Sequence, residues 1–142
     1  MTTKVLLVDD EVDFLEVMSE RLVNRGMHVS TSTNAEAALK LVEKEHFDAV
    51  ILDLKMPGMD GLEALNRLKE KQPEIQVILL TGHATVEKGV EAIKRGALDF
   101  VEKPADTEAL AEKIKSAKEK KMLIVEKASQ ERIMDILKHH GY

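Results

Sequence analysis

The 142-residue sequence contains no cysteine and no tryptophan, and its aromatic side chains are only Phe14, Phe47, Phe100 and Tyr142. Without cysteine there is no disulfide, no thiolate zinc site and no cysteine nucleophile. With so few aromatics, base-stacking surfaces and sugar platforms are poorly supplied, and direct nucleic-acid binding is not expected. Long hydrophobic runs are missing too: nothing approaches the roughly 20 consecutive apolar residues of a membrane span. The opening Met1-Thr2-Thr3-Lys4-Val5 has no apolar signal stretch, so a cytoplasmic protein without a membrane partner is expected.

What is present is an ordinary globular composition, 44% apolar and 33% charged. This length suits one domain, with room for an appended element. The net charge of −5 is unevenly spread: 19 acidic and 13 basic residues up to Pro104 leave −6, while 7 acidic and 8 basic from Ala105 onward leave +1. Six carboxylates, Asp9, Asp10, Glu11, Asp13, Glu16 and Glu20, fall within twelve residues that hold no Lys or Arg. Alone, such a run describes a solvated acidic helix face.

Apolar runs of strand length recur along the chain: Val5-Leu6-Leu7-Val8, Ala49-Val50-Ile51-Leu52 and Val77-Ile78-Leu79-Leu80, with shorter ones at His28-Val29-Ser30 and Leu98-Asp99-Phe100-Val101. Unbroken runs mark strands covered on both faces, as in a parallel sheet. Helical spacing lies between them. A first helix is expected from Asp13 to Arg25, with Phe14, Val17, Met18, Arg21 and Leu22 on one stripe and Gly26 closing it. Asn34 is placed to cap a second carrying Ala38, Leu41 and Val42. A third begins near Asp60 and carries Leu62, Leu65 and Leu68. The fourth is expected from Ala84 to Arg95 with Val86, Val90 and Ile93 inward, ending at Gly96, and the fifth opens after Pro104 with Leu110 and Ile114.

Five βα units in succession predict a doubly wound parallel α/β sheet with helices on both faces. In such folds ligands bind beyond the carboxyl ends of the strands. That edge receives Asp9 and Asp10 after strand one, Asp53 at the end of strand three, Thr81 after strand four and Lys103 after strand five. Converging carboxylates repel one another unless a cation or proton intervenes, and a magnesium ion held by carboxylates and a phosphate is an economical answer. No Cys and no paired His offers zinc a site. Carboxylate, magnesium, lysine and hydroxyl together suit phosphoryl transfer, where stabilising charge on the phosphoryl oxygens does most of the work. Taken singly, Asp9, Asp10 and Thr81 are equally turn or cap residues, and Pro57-Gly58 and Asp60-Gly61 are turn formers.

The segments Val5-Leu6-Leu7-Val8-Asp9-Asp10-Glu11, Asp53-Leu54-Lys55-Met56-Pro57-Gly58-Met59-Asp60-Gly61, Thr81-Gly82-His83-Ala84 and Lys103-Pro104 resemble the receiver domain of bacterial two-component response regulators, the CheY-like superfamily. The likeness runs from about Lys4 to Lys121, in the family's order and spacing. It implies a flavodoxin-like fold with strand order 2-1-3-4-5 and a Lys103–Pro104 bond in the cis form. It implies that Asp53 accepts a phosphoryl group from a sensor histidine kinase or phosphotransfer protein. Asp10 would ligate magnesium directly, Asp9 largely through water, and Asp53 and the backbone carbonyl of Lys55 would complete the protein ligands. Thr81 and Lys103 would hold phosphoryl oxygens. Thr81 and Phe100 would form the switch, changing the surface of helix four, strand five and helix five for a downstream effector. Many relatives carry Tyr at the position of Phe100, so coupling here is expected to rest on ring packing. Lys55 and His83 would flank the attacking water and tune the lifetime of the phosphoryl group; as exposed loop residues they could equally have no such part.

Residues 1–121 therefore suit a receiver domain acting through partners, not an enzyme on other substrates. A receiver excised from a longer transcription regulator stays open, because the segment from Val77 to Pro104 looks like those attached to enhancer-binding activators. A magnesium-dependent phosphatase of the haloacid dehalogenase type also uses a strand-end Asp, but it places the nucleophile after strand one with a second acid two residues on, and adjacent Asp9-Asp10 with a separate Asp53 fits that poorly. Residues 122–142, with Met122-Leu123-Ile124-Val125 and Ile133-Met134-Asp135-Ile136-Leu137, are too apolar for a solvated tail and suit a helical extension. Its heptad register is poor. It either packs back on its own domain, pairs with a second copy or docks another protein. His28, His46, His139 and His140 are expected at the surface.

Overall fold

The computed structural model describes residues 2–82 and 86–139, with Val86 described by its backbone alone. Five strands, β1 (Lys4–Val8), β2 (His28–Ser32), β3 (Ala49–Asp53), β4 (Val77–Thr81) and β5 (Asp99–Glu102), alternate with α1 (Val12–Val23), α2 (Ala35–Lys44), α3 (Gly61–Lys71), α4 (Val86–Lys94) and α5 (Thr107–His139). The strands pair in parallel in the order β2-β1-β3-β4-β5. Every residue of β3 and β4 is buried, as unbroken apolar strands under two helical layers must be. Successive side chains alternate between the layers. Leu6, Val8, Val50, Leu52 and Leu79 pack with α2 and α3, while Leu7, Ile51, Ile78 and Leu80 pack with α1 and α5.

Helix ends follow local chemistry. Asn34 accepts the Ala37 N–H at 2.8 Å to cap α2, and Asp60 accepts the Leu62 N–H at 3.0 Å to cap α3. Gly26, at φ +86°, follows the close of α1, where glycine takes a positive φ without steric cost. The Lys103–Pro104 bond is cis, as the family resemblance implied.

Two expected faces differ in the structure. On α1 the inward residues are Leu15, Met18 and Leu22; Phe14 is half-buried, Arg21 is exposed and Val17 is 48% exposed, so the stripe lies rotated from the expected one. On α4, Val90 and Ile93 face outward at 46% and 40% exposure, while Gly89 and Ala92 face the sheet. Large apolar side chains were expected to seek the core, but the close approach of α4 to β5 leaves room only for small ones. The expected start of that helix at Ala84 lies outside the described residues. Gly61 is more than a turn former: it opens α3, and a Cβ there would lie 2.6 Å from Leu54 Cδ2 and 2.9 Å from Leu54 Cα.

The fifth helix and the expected extension are one helix of 33 residues. Its first half packs through Leu110, Ile114 and Ala117. It is then pinned at the amino edge of the sheet, where Lys118 Nζ donates to Thr3 Oγ1 at 3.2 Å and Lys121 Nζ donates to the Phe47 carbonyl at 3.0 Å. From Met122 to His139 every residue is exposed. The extension does not pack back on its own domain.

Candidate functional site

β1, β3, β4 and β5 run parallel, so the residues that end or follow them meet at one edge of the sheet. Asp9 is fully buried, Asp53 is 4% exposed and Asp10 is exposed. Each of the three has a carboxylate oxygen within 4.8 Å of the others. Two carboxylates are fixed by their own loops: Asp9 Oδ1 accepts the Glu11 N–H and Asp53 Oδ1 accepts the Lys55 N–H, both at 2.9 Å. Both carboxylates are therefore oriented before any ligand arrives.

Lys103 supplies the counter-charge. Its Nζ lies 2.8 Å from Asp9 Oδ2, 3.3 Å from Asp53 Oδ2 and 3.3 Å from Glu11 Oε1. It also stands 5.1 Å from the centroid of the Phe14 ring, a cation–π distance. Burial alone would favour the neutral amine, but the Asp9 and Asp53 carboxylates outweigh it and hold the ammonium above its ordinary pKa. Burial pushes the Asp53 carboxyl up, with the Asp9 charge adding to it; the Lys55 N–H and Lys103 oppose but do not cancel the rise. Thr81 is fully buried, and its hydroxyl has no hydrogen-bond partner among the described residues. Such a hydroxyl carries an uncompensated cost unless something enters that it can bond.

The expected residues Asp9, Asp10, Asp53, Thr81 and Lys103 thus share one edge. Lys55 follows at the loop, exposed, with its backbone tied to Asp53. Phe100 is half-buried and packs with the α3 and α4 side of the core. His83 and His140 lie outside the described residues, while His28, His46 and His139 are exposed. Glu11 and Phe14 were not assigned to the site from the sequence. Their position in the acidic run next to Asp10 was the available signal, but their part depends on the path of the Lys103 side chain.

The family described as the response regulator receiver domain matches residues 5–115. The chain belongs to this family. Among curated proteins, this receiver domain is 39% identical over 110 residues to the response regulator protein FleR of Pseudomonas aeruginosa, covering 78% of this chain and 23% of that one. It is 37% identical over 119 residues to the transcriptional regulatory protein FixJ of Bradyrhizobium diazoefficiens, covering 82% and 58%. The chain therefore spans about a quarter of the first relative and somewhat over half of the second. A solved receiver domain protein from Clostridium thermocellum superposes with a TM-score of 0.83 at 31% identity, covering 86% of this chain and 98% of that one. No helix among the described residues of this receiver is long and apolar enough to cross a membrane.

The raised pKa of Asp53 sets a pH dependence. A carboxyl whose folded pKa lies above its unfolded value stabilises the fold fully at low pH, and that contribution is lost as pH rises through the folded value. Asp53→Asn removes it. The variant is expected to gain stability over the parent as pH rises from the ordinary aspartate value of 3.8, then to hold a constant advantage. Urea unfolding of both proteins across that range without added metal checks it; an advantage that shrinks with rising pH would contradict the direction.

Proposed function

We propose that this receiver is a magnesium-dependent phospho-accepting switch. A carboxylate oxygen of Asp53 attacks the phosphorus of a phosphohistidine on a sensor kinase or phosphotransfer protein, the P–N bond breaks, and the imidazole leaves with the pair. The supporting observation is the strand-edge geometry: a loop-oriented Asp53 lies beside the Lys103 ammonium and the carboxylates of Asp9 and Asp10, with the buried Thr81 hydroxyl at the end of the next strand. An all-oxygen donor set with two buried carboxylates fits a hard divalent ion. Asp9, Asp10, Asp53 and the Lys55 carbonyl would hold magnesium, which when bound neutralises charge on the phosphoryl oxygens.

Lys103 then exchanges its contact with Asp53 for a phosphoryl oxygen, and the Thr81 hydroxyl donates to another. The aspartyl phosphate adds about −1.5 to −2 of charge at this edge. Movement of Thr81 opens space toward which the Phe100 ring packs, and the surface of α4, β5 and α5 changes for a downstream effector. Lacking a hydroxyl, Phe100 couples by packing alone. Location in the cytoplasm belongs to the same proposal.

The test is incubation of the protein with magnesium and acetyl phosphate, with the label located by mass. Label at Asp53, and none in Asp53→Ala, is the expected result. Label elsewhere, or full labelling of the variant, would overturn the assignment. Decay after donor removal reads the proposed tuning by Lys55 and His83: alanine at either is expected to change the rate, and unchanged rates remove them from the mechanism.

The receiver boundary belongs at Lys121, the last half-buried residue of α5. Beyond it Met122, Leu123, Ile133, Met134, Ile136 and Leu137 are all at least 45% exposed. Glu126, Glu131 and Asp135 balance Lys127, Arg132 and Lys138, so the described extension carries no net formal charge with His139 neutral and is electrically matched to a second copy of itself. Sedimentation is expected to show a dimer that Met134→Glu with Leu137→Glu weakens. A parent that remains monomeric at high concentration would exclude this partner.

A further inference from the structure

Glycine inside a helix is less favourable than alanine, yet α4 carries Gly89 near its centre, turned toward the sheet. The Phe100 ring occupies the space in front of it. A Cβ at position 89 would stand 3.2 Å from Cγ of Phe100, and 3.4 Å and 3.5 Å from its Cδ1 and Cδ2. The ring thus rests directly against the place where the Cβ of any other residue would stand, close enough at Cγ that the ring would have to give way by a few tenths of an ångström. β5 pairs with β4 so that Phe100 faces Leu79 and Glu102 faces Thr81. Side chains alternate along a strand, which places Thr81, two residues beyond Leu79, on the same covered face as Phe100.

We propose that Gly89 is a positioning residue of the switch: its missing side chain is the seat of Phe100 in the unphosphorylated arrangement, and the size of residue 89 sets how readily the ring leaves toward Thr81. The proposal rests on the coupling of Thr81 to Phe100 described above. A methyl group at this position crowds the ring where it now lies, and crowding in a packed interior is destabilising. It raises the energy of the resting arrangement relative to the one in which the ring has moved. A ligand that selects the moved arrangement then binds more tightly, because less of its interaction is spent on the shift.

The measurement is the affinity of the full chain for trifluoroberyllate, a phosphoryl analogue, in the presence of magnesium, together with the nuclear magnetic resonance signals of the Phe100 ring. Gly89→Ala is expected to tighten analogue binding by about fivefold or more. In the free variant the ring signals move toward their analogue-bound positions, a change that a general effect on helix stability would not produce. Phe100→Ala alone weakens analogue binding, and in that background Gly89→Ala changes nothing, since the ring it would crowd is gone. If Gly89→Ala leaves both affinity and ring signals at parent values while Phe100→Ala still weakens binding, the seat is refuted and the Thr81–Phe100 coupling stands. If Phe100→Ala also has no effect, the coupling itself fails and the seat falls with it. Tightening that persists in the Phe100→Ala background would equally refute the role of Gly89 as the seat.

Discussion

Replacing Lys103 with methionine is expected to lower stability by about 3 kcal/mol at neutral pH, the scale of removing one partner from a buried charge cluster. Asp9 is fully buried and Asp53 nearly so, and the Lys103 ammonium touches both. Methionine fills much of the same volume, so the loss isolates the charge. The uncompensated Asp53 carboxylate escapes part of the cost by taking up a proton, as burial already pushes it to do. Protonation is complete only in acid, so the deficit of the variant should narrow as pH falls and widen as it rises. Magnesium, if held by the three carboxylates, binds the folded state alone and should restore the variant more than the parent. Urea unfolding with and without magnesium reads all three effects. A variant as stable as its parent at neutral pH would show that the cluster does not depend on its lysine.

Gly61→Ala is expected to cost about 2 kcal/mol in stability and to slow labelling by acetyl phosphate at least about tenfold, as a small misplacement of a reacting group does. The added Cβ would lie 2.9 Å from Leu54 Cα and 3.2 Å from its carbonyl oxygen. These are backbone atoms of the residue that follows Asp53, so the strain cannot be absorbed by turning a side chain. Either α3 retreats or the end of β3 moves, and Asp53 moves with it. Equilibrium unfolding separates the first effect from the second, read as the labelling rate of the fully folded variant. Unchanged labelling would mean that α3 alone gives way.

The sheet was legible because a strand buried on both faces has to be apolar throughout, and Val5–Val8, Ala49–Leu52 and Val77–Leu80 are. The site was legible for a related reason: in a parallel sheet the residues that follow the strands share an edge, so the positions of Asp9, Asp53, Thr81 and Lys103 in the chain imply their meeting. Helix faces were harder to read. On α4 hydrophobicity favours Val90 and Ile93 as inward residues, but the separation of helix and sheet, which the sequence does not state, selects Gly89 and Ala92. On α1 Leu15 and Val17 compete for the core, and one step around the helix decides between them. The contacts of Lys103 with Glu11 and the Phe14 ring depend on the course of a flexible side chain, which no spacing rule encodes.

α5 begins four residues after Lys103 and is held at Lys121 by the amino edge of the sheet. At 1.5 Å per residue, the stretch from Met122 to His139 reaches about 27 Å past that fulcrum. A tilt of about 5° at the base would sweep the far end through about 2 Å over this length. The uninterrupted helix is therefore a lever arm: a displacement at the carboxylate-bearing edge of the sheet too small to reshape the domain would be magnified at its tip.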